Sequence, residues 1–411
     1  MGAGQPVRVL MLLAGEFAFD ARVQRSARSL AAHGYDITVA ARAGDDERPF
    51  DVAGYRVLEV PIRARPKKRK GQARTDERLR EQPSALADRA LPAGPGHEYD
   101  EAWGPLLQRE RPDVVHLHDH YGLRVAVTVL RGSARLIYDA HEYSLGKRVT
   151  PRRREALAAY LREYVPAVDA FVTVSSAAAN AFAGQVRLPA PAIVVHNTPS
   201  LRDQKAAPYA LRTAVGIDRR TPLLVYHGVL TKQRRLETVF GALVQLPMVH
   251  LALIINGSGA SALRETAAQM GLRERVHFLP PVPHDSLVSL VRDADVAVLP
   301  LERYGNGDVA LPNKLFEYLH AEVPMVVSDS PQIAGFVRAH ALGEVALLHE
   351  GAWARAIERV LTNPGAYAGE PSARRRLRRE WSWEAQEPRL LEVYERLARS
   401  GRQSSAAAPP A

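Results

Sequence analysis

The chain opens with a short, almost purely apolar run, Val7 to Leu13, too continuous for a half-exposed strand and typical of a parallel strand covered on both faces. A loop through Gly15 follows, then Asp20, placed to cap a helix whose apolar positions Val23, Ala27, Leu30 and Ala31 keep helical spacing. Gly34 ends that helix and Tyr35 to Ala41 returns as a second strand. The alternation continues with strands at Pro112 to His118, Arg135 to Ala140, Ala170 to Val174 and Ala192 to His196, and with a helix over 151–165. Strand, glycine loop, helix, strand is the unit of a doubly wound parallel sheet.

Residues 198–221 are polar and broken by prolines, which marks a linker. A second series then begins: strands at Pro222 to His227, Val249 to Ile255, Val276 to Leu279 and Asp295 to Leu299, with a helix over 285–293. After a loop at Gly305-Asn306-Gly307, Leu311-Pro312-Asn313-Lys314 starts the helix LFEYLHAE, and Pro324 stops it before the β-rich run MVVSD. Trp381-Ser382-Trp383 precedes an amphipathic helix carrying Leu390, Leu391, Tyr394 and Leu397. The expected organisation is α/β, with two Rossmann-like domains at 1–200 and 201–383. A helix at 384–400 and a disordered tail at 401–411 complete it. Residues 61–98, with two basic clusters and few large apolar residues, read as a mobile insertion in the first domain.

Composition narrows the class. The 411 residues exceed one ordinary core, and 46% hydrophobic with 24% charged is the balance of a soluble globular protein. There is no cysteine, so disulfides, thiolate nucleophiles and cysteine metal sites are excluded, in keeping with a cytoplasmic location. A formal net charge of +10 favours anionic partners, with the excess concentrated in RARPKKRKGQAR (63–74) and ARRRLRR (373–379). Each cluster reads first as solvated charge on a loop and on a helix face. No segment approaches the ~20 apolar residues that span a bilayer. The run VRVLMLLAG is short and is followed by Glu16 and Asp20, so it reads as a buried strand and not as a signal core.

Several stretches carry candidate chemistry. Strand alternation places His116, His118 and His120 on one side if the strand PDVVHLH persists, and Asp119 lies among them. Partly buried polar residues at a strand end and a metal site both satisfy that pattern. Asp139, His141 and Glu142 put carboxylates and an imidazole at the end of the next strand, residue types able to orient a hydroxyl. Gly228 opens a loop with Lys232 and Arg234, and Gly257 with Gly259 repeats the strand–glycine–helix theme. At Pro312-Asn313-Lys314 a helix start offers unpaired backbone N–H groups and the positive end of its dipole, the natural seat of a phosphate. Glu317, one turn in, can accept from sugar or ribose hydroxyls.

LPNKLFEYLHAEVPMVVSD resembles the donor-site helix of retaining glycosyltransferases of the GT-B fold, family 4, in the bacterial branch that reads Pro-Asn-Lys-x-x-Glu-Tyr. The order of elements from Val7 to about Arg399 agrees with that family. The resemblance implies two Rossmann-like domains facing a cleft and a terminal helix returning to the first. It also implies transfer of a sugar from a nucleotide-diphosphate sugar to an acceptor hydroxyl, with retained anomeric configuration and without a metal or other cofactor. PDVVHLHD matches the family's strand whose final histidine, His118, contacts the donor sugar. Donor contacts carry over to Gly15, Gly228, Lys232, Arg234, Gly257, Asn313, Lys314 and Glu317. Asp139, His141 and Glu142 fall on the acceptor side. Two departures stand out: the signature's first acid falls on Val309, with Asp308 one place early, and the arginine that usually follows the loop glycine is Val229.

The acceptor class stays open among small molecule, glycan and lipid-linked compound. Peripheral contact with the inner membrane face is compatible with the basic clusters, and nucleic acid is not an expected partner. Other readings of the same fold are a nucleotide-sugar epimerase or a sugar phosphorylase. From outside it comes a non-catalytic binder of anionic polymer or membrane, and a metal hydrolase on the three histidines ranks last.

Overall fold

The computed structural model describes residues 5–44, 54–62, 97–256 and 259–405. Most of the basic insertion, residues 63–96, lies outside these, as do Gly257 and residues 406–411. His97 and Glu98, expected in the insertion, instead open a helix His97–Glu110 whose Trp103, Leu106 and Leu107 are buried.

The chain divides into two compact units, one of residues up to Val195 plus those from Arg389 onward, the other His196–Pro388. The first holds seven strands: β1 Arg8–Leu13, β2 Asp36–Arg42, β3 Arg56–Val60, β4 Val114–His118, β5 Arg135–Ala140, β6 Ala170–Thr173 and β7 Ile193–Val194. They form one parallel sheet in the order β3-β2-β1-β4-β5-β6-β7. The second holds β8 Leu223–Val229, β9 His250–Asn256, β10 Val276–Leu279, β11 Val296–Leu299, β12 Met325–Ser328 and β13 Gly343–Ala346. Their sheet, also parallel, runs β10-β9-β8-β11-β12-β13.

The apolar runs become central strands because helices cover both faces of each sheet. β1 and β4 are buried almost throughout, as are β11 and β12. In each sheet the chain order reverses once, between β1 and β4 and between β8 and β11. Loops leaving the carboxyl ends of those neighbours diverge and open a crevice, which is where doubly wound sheets bind ligands.

The terminal helix spans Trp383–Ser405. Leu390, Val393, Tyr394 and Leu397 are buried, and Arg389 onward belongs to the first unit. The 198–221 stretch is not a free linker but part of the second unit. Arg212, on a short helix Leu211–Val215, donates to the Asp295 carboxylate at 2.6 Å and to the carbonyls of Asp293, Asp218 and Thr221. Among the described residues no helix is long and apolar enough to cross a membrane.

Candidate active site

The second unit gathers its candidate residues at the β8/β11 switch point. β8 ends in Tyr226-His227-Gly228, and Gly228 has φ +105, open to glycine and strained for other residues. A Cβ there would stand 2.7 Å from Lys314 Nζ and 3.0 Å from its Cε, so the bare backbone makes room for the lysine. Lys314 lies in the first turn of the helix Asn313–Ala321, buried, with its ammonium 5.4 Å from the centre of the Tyr226 ring. Burial, then repulsion from Arg234, lowers its pKa to about 7 against the opposing pull of Glu317. Arg234 sits on the short turn Lys232–Arg234, and its buried Nε has no hydrogen-bond partner among the described residues. Lys232 on the same turn is exposed.

Pro312 caps the helix without a side-chain hydrogen bond, so its first-turn amides are not claimed by a capping side chain. One turn in, the buried carboxylate of Glu317 lies 3.2 Å from His227 Nε2. Burial, then Lys314, holds His227 well below the usual histidine pKa, so its ring is neutral. Sequence reasoning passed over His227, though its place directly before Gly228 at the end of β8 was a usable signal.

Just upstream, Gly305-Asn306-Gly307 is not a loop but a short helix, Gly305–Val309. Gly307 is required there: a Cβ would meet the Tyr304 ring at 2.6 Å and the Glu302 carbonyl oxygen at 3.0 Å. Asp308, one place before Val309, is tied to Arg303 at 3.2 and 3.3 Å.

In the first unit the candidates meet where β1, β4 and β5 end. Gly15 follows β1, and its carbonyl accepts from the Arg42 amide at 3.0 Å. Asp139, on β5, is fully buried, and both its oxygens accept from Arg22 at 2.8 Å. Burial opposes its charge, yet Arg22 and His116 hold its pKa well below the usual carboxylate range. Both oxygens of Asp139, expected on the acceptor side, are thus engaged by Arg22 inside the first unit. Glu142 is paired with Lys147.

The histidines also divide differently from the alternation argument. β4 stops at His118 because Asp119 takes φ +65, and His120 falls in a turn, stacked on Tyr121. Burial, then Lys147, lowers its pKa to about 3. His116 Nδ1 contacts the Tyr394 hydroxyl at 2.8 Å, and His118 Nδ1 lies 2.9 Å from His141 Nε2. Asp139, not His120, completes a set with His116 and His118 whose ligand atoms lie within 4.8 Å of one another. That set does not fit a cation: Arg22 occupies both carboxylate oxygens and places a guanidinium beside them, and Tyr394 engages His116.

Two family models match: "Glycosyl transferase 4-like domain" over residues 20–198 and "Glycosyl transferases group 1" over residues 210–381. The chain belongs to the GT-B glycosyltransferases of the family 4 type. A D-inositol 3-phosphate glycosyltransferase from Salinispora arenicola is 29% identical over 223 residues, which is 51% of this chain and 49% of that protein. Its counterpart from Salinispora tropica is 34% identical over 143 residues, 34% of this chain and 29% of that one. The matches thus span about half or less of these curated relatives. Among solved structures, sucrose-phosphate synthase from Thermosynechococcus elongatus has a TM-score of 0.73 at 16% identity, covering 96% of this chain and 100% of its own. Anabaena HepE, solved in complex with UDP-glucose, has a TM-score of 0.68 at 14% identity, covering 94% and 99%. At such identities the likeness is one of fold, two parallel α/β domains of the GT-B type.

Proposed function

We propose that this GT-B protein transfers a sugar from a nucleoside-diphosphate sugar to an acceptor hydroxyl with retention of anomeric configuration. One observation carries the reading: Lys314, buried in the first turn of a helix with no capping side chain, lies near enough to Arg234 for the two charges to repel. Gathering like charges in a desolvated place is costly unless an anion completes it. A diphosphate supplies that anion, and the fold likeness to a protein solved with UDP-glucose agrees with the choice.

In this reading Lys314, Arg234 and Lys232, with Asn313 and the other first-turn amides, hold the diphosphate by charge-assisted hydrogen bonds. As the sugar–phosphate bond breaks, negative charge grows on the departing diphosphate. Preorganised cations and amides stabilise that charge without reorganising, usually the largest catalytic contribution. The cations perform here what a metal ion does elsewhere, so no metal or other cofactor is required of the chemistry. Glu317, oriented by His227, accepts from the ribose hydroxyls. Gly228, bare beside Lys314, lets backbone approach the ligand, and Gly15 does so from the loop after β1. His118 meets the sugar, as the family resemblance implies; on the loop after β5, His141 stands 2.9 Å from His118 and Glu142 pairs with Lys147. The acceptor is a hydroxyl compound, and the basic clusters of the sequence are compatible with peripheral contact at an anionic membrane.

A thermal-shift panel of UDP-, dTDP-, GDP- and ADP-sugars tests the donor, because a ligand that binds only the folded state raises its melting temperature. One nucleotide series is expected to stabilise the protein. Glu317→Ala and Arg234→Ala are expected to lose that stabilisation while melting like the parent without ligand. Full ligand response in both variants would remove the assignment.

A further inference from the structure

We propose that His141, held by Asp20, is a positioning residue that fixes which nitrogen of His118 carries the proton, so that His118 presents a buried Nε2–H donor to the substrate. The inference deepens the preceding reading, resting on it for the claim that His118 meets the sugar, and it takes His141 away from the acceptor side.

The geometry is a chain of contacts confined to the first unit. Asp20 caps the helix Ala21–Ala32 by accepting from the Val23 amide at 3.0 Å, which anchors its carboxylate. Its other oxygen lies 3.5 Å from His141 Nδ1. On the far side of the ring, His141 Nε2 is 2.9 Å from His118 Nδ1. The backbone holds His141 as well: its amide donates to Asp119 at 3.1 Å, and the Asp119 amide donates to the Asp139 carbonyl at 2.9 Å. His118 is 1% exposed, and its Nε2 has no hydrogen-bond partner among the described residues. A buried polar atom in that condition is costly and calls for a ligand atom.

Two nitrogens at 2.9 Å need one proton between them. Carboxylate faces His141 from three elements: Asp20 from the first helix, Asp119 from the turn after β4 and Asp139 from β5 at 3.9 Å. Burial opposes a charge on His141, but Asp20 foremost, with Asp119 and Asp139, outweighs it and raises the pKa to about 9. His118 is the opposite case, since burial, then His116 and His141, holds it well below its ordinary value. Of the cations in reach, Arg22 is engaged with Asp139, and Lys147, which acts on Asp119, is paired with Glu142. At neutral pH His141 thus carries both protons and donates from Nε2 to His118 Nδ1. The single proton of His118 must then sit on Nε2, the unpartnered atom.

Above about pH 9 the pair loses one proton. His141 keeps Nδ1–H toward Asp20, its Nε2 becomes an acceptor, and the proton of His118 moves to Nδ1. His118 Nε2 is then bare, and a donor has become an acceptor.

Long-range proton–nitrogen spectra of the full chain labelled with 15N-histidine report which nitrogen of each ring is protonated. The expected result at pH 7.5, with the proton on Nε2 of His118, reverses near pH 9. In Asp20→Asn the reversal is expected to move down by about one pH unit or more, because the main attraction on His141 is gone. His141→Phe is expected to remove the preference for Nε2 and to cut kcat about tenfold or more with donor KM little changed, while His141→Gln, whose amide can still donate to Nδ1, restores most of it. Should His141→Phe fail to fold, Asp20→Asn alone decides through the same spectra. A His118 proton on Nδ1 at pH 7.5, or a tautomer indifferent to both substitutions, overturns the proposal. The spectra need no donor, so failure of every nucleotide-sugar to bind would sink the functional reading separately.

Discussion

The Tyr394 hydroxyl meets His116 Nδ1 at 2.8 Å, joining residues 278 apart in sequence. Tyr394 belongs to the terminal helix and His116 to a central strand of the first sheet, so this contact is where the chain's end closes over the first unit. The phenol is buried, flanked by the Tyr35 ring at 5.3 Å, with Leu390, Val393 and Leu397 buried on the same helix. Tyr394→Phe keeps the apolar packing and removes the hydrogen bond, leaving a buried imidazole nitrogen unsatisfied. The expected cost is about 1–3 kcal/mol, read from urea unfolding of the first unit. A smaller loss than a few tenths would mean that His116 finds another partner.

Gly228 should be the least replaceable residue at the end of β8. Gly228→Ala sets a methyl 2.7 Å from Lys314 Nζ at a φ of +105, so the lysine must leave its place or the backbone must change. Donor affinity is expected to fall about tenfold or more while the fold persists, because a flexible lysine can swing away at modest cost. Calorimetric titration with a nucleoside-diphosphate sugar distinguishes this from a packing defect, which would lower the melting temperature without weakening binding.

Lys314 predicts a proton linkage. With a pKa lowered to about 7, it is largely neutral at pH 8 in the free protein, and a bound diphosphate favours the ammonium. Binding at pH 8 should take up a proton, so the apparent enthalpy will differ between phosphate and Tris buffers. Affinity should decline as pH rises through 7 to 8, and Lys314→Met should abolish both effects. The stability sign is opposite. Between about pH 7 and the ordinary lysine value the unfolded chain binds more protons, so this group alone makes stability rise with pH. Equal enthalpies in the two buffers would show that Lys314 does not change its charge on binding.

The parts of this molecule legible in the sequence are those written in local pattern. Val7 to Leu13 announces β1 because a strand covered on both faces needs a continuous apolar run, and Asp20 announces the helix that it does cap. β3 and β13 were silent, since both are edge strands with mostly part-exposed residues. Gly305-Asn306-Gly307 misled because two glycines normally argue for a loop, whereas Gly307 is there to pass beneath Tyr304. His120 misled because alternation holds only while a strand lasts, and the positive φ of Asp119 ends this one. The LPNKLFEY element was readable since a helix start, a lysine and an acid one turn apart lie within a few residues. His227 against Glu317 and Arg22 against Asp139 were not, because each pair is made by the fold across about a hundred residues.

The Arg22–Asp139 pair yields the most severe prediction for the first unit. Both side chains are 1% exposed, the geometry is bidentate at 2.8 Å, and Arg22 also donates to the Val195 carbonyl at 2.7 Å. Such a pair adds little over an apolar replacement of both members, but removing one strands a buried charge. Arg22→Met is expected to cost about 3–5 kcal/mol, and the double change Arg22→Met with Asp139→Leu to recover much of it. The pH dependence separates this from simple loss of packing. Asp139 titrates below its unfolded value, so its contribution is fully present above about pH 4 and declines as pH falls further. In Arg22→Met the stranded carboxyl titrates above its unfolded value, so the deficit should shrink as the medium is acidified and the group becomes neutral. A deficit constant from pH 7 to pH 4 would assign the loss to packing and not to charge.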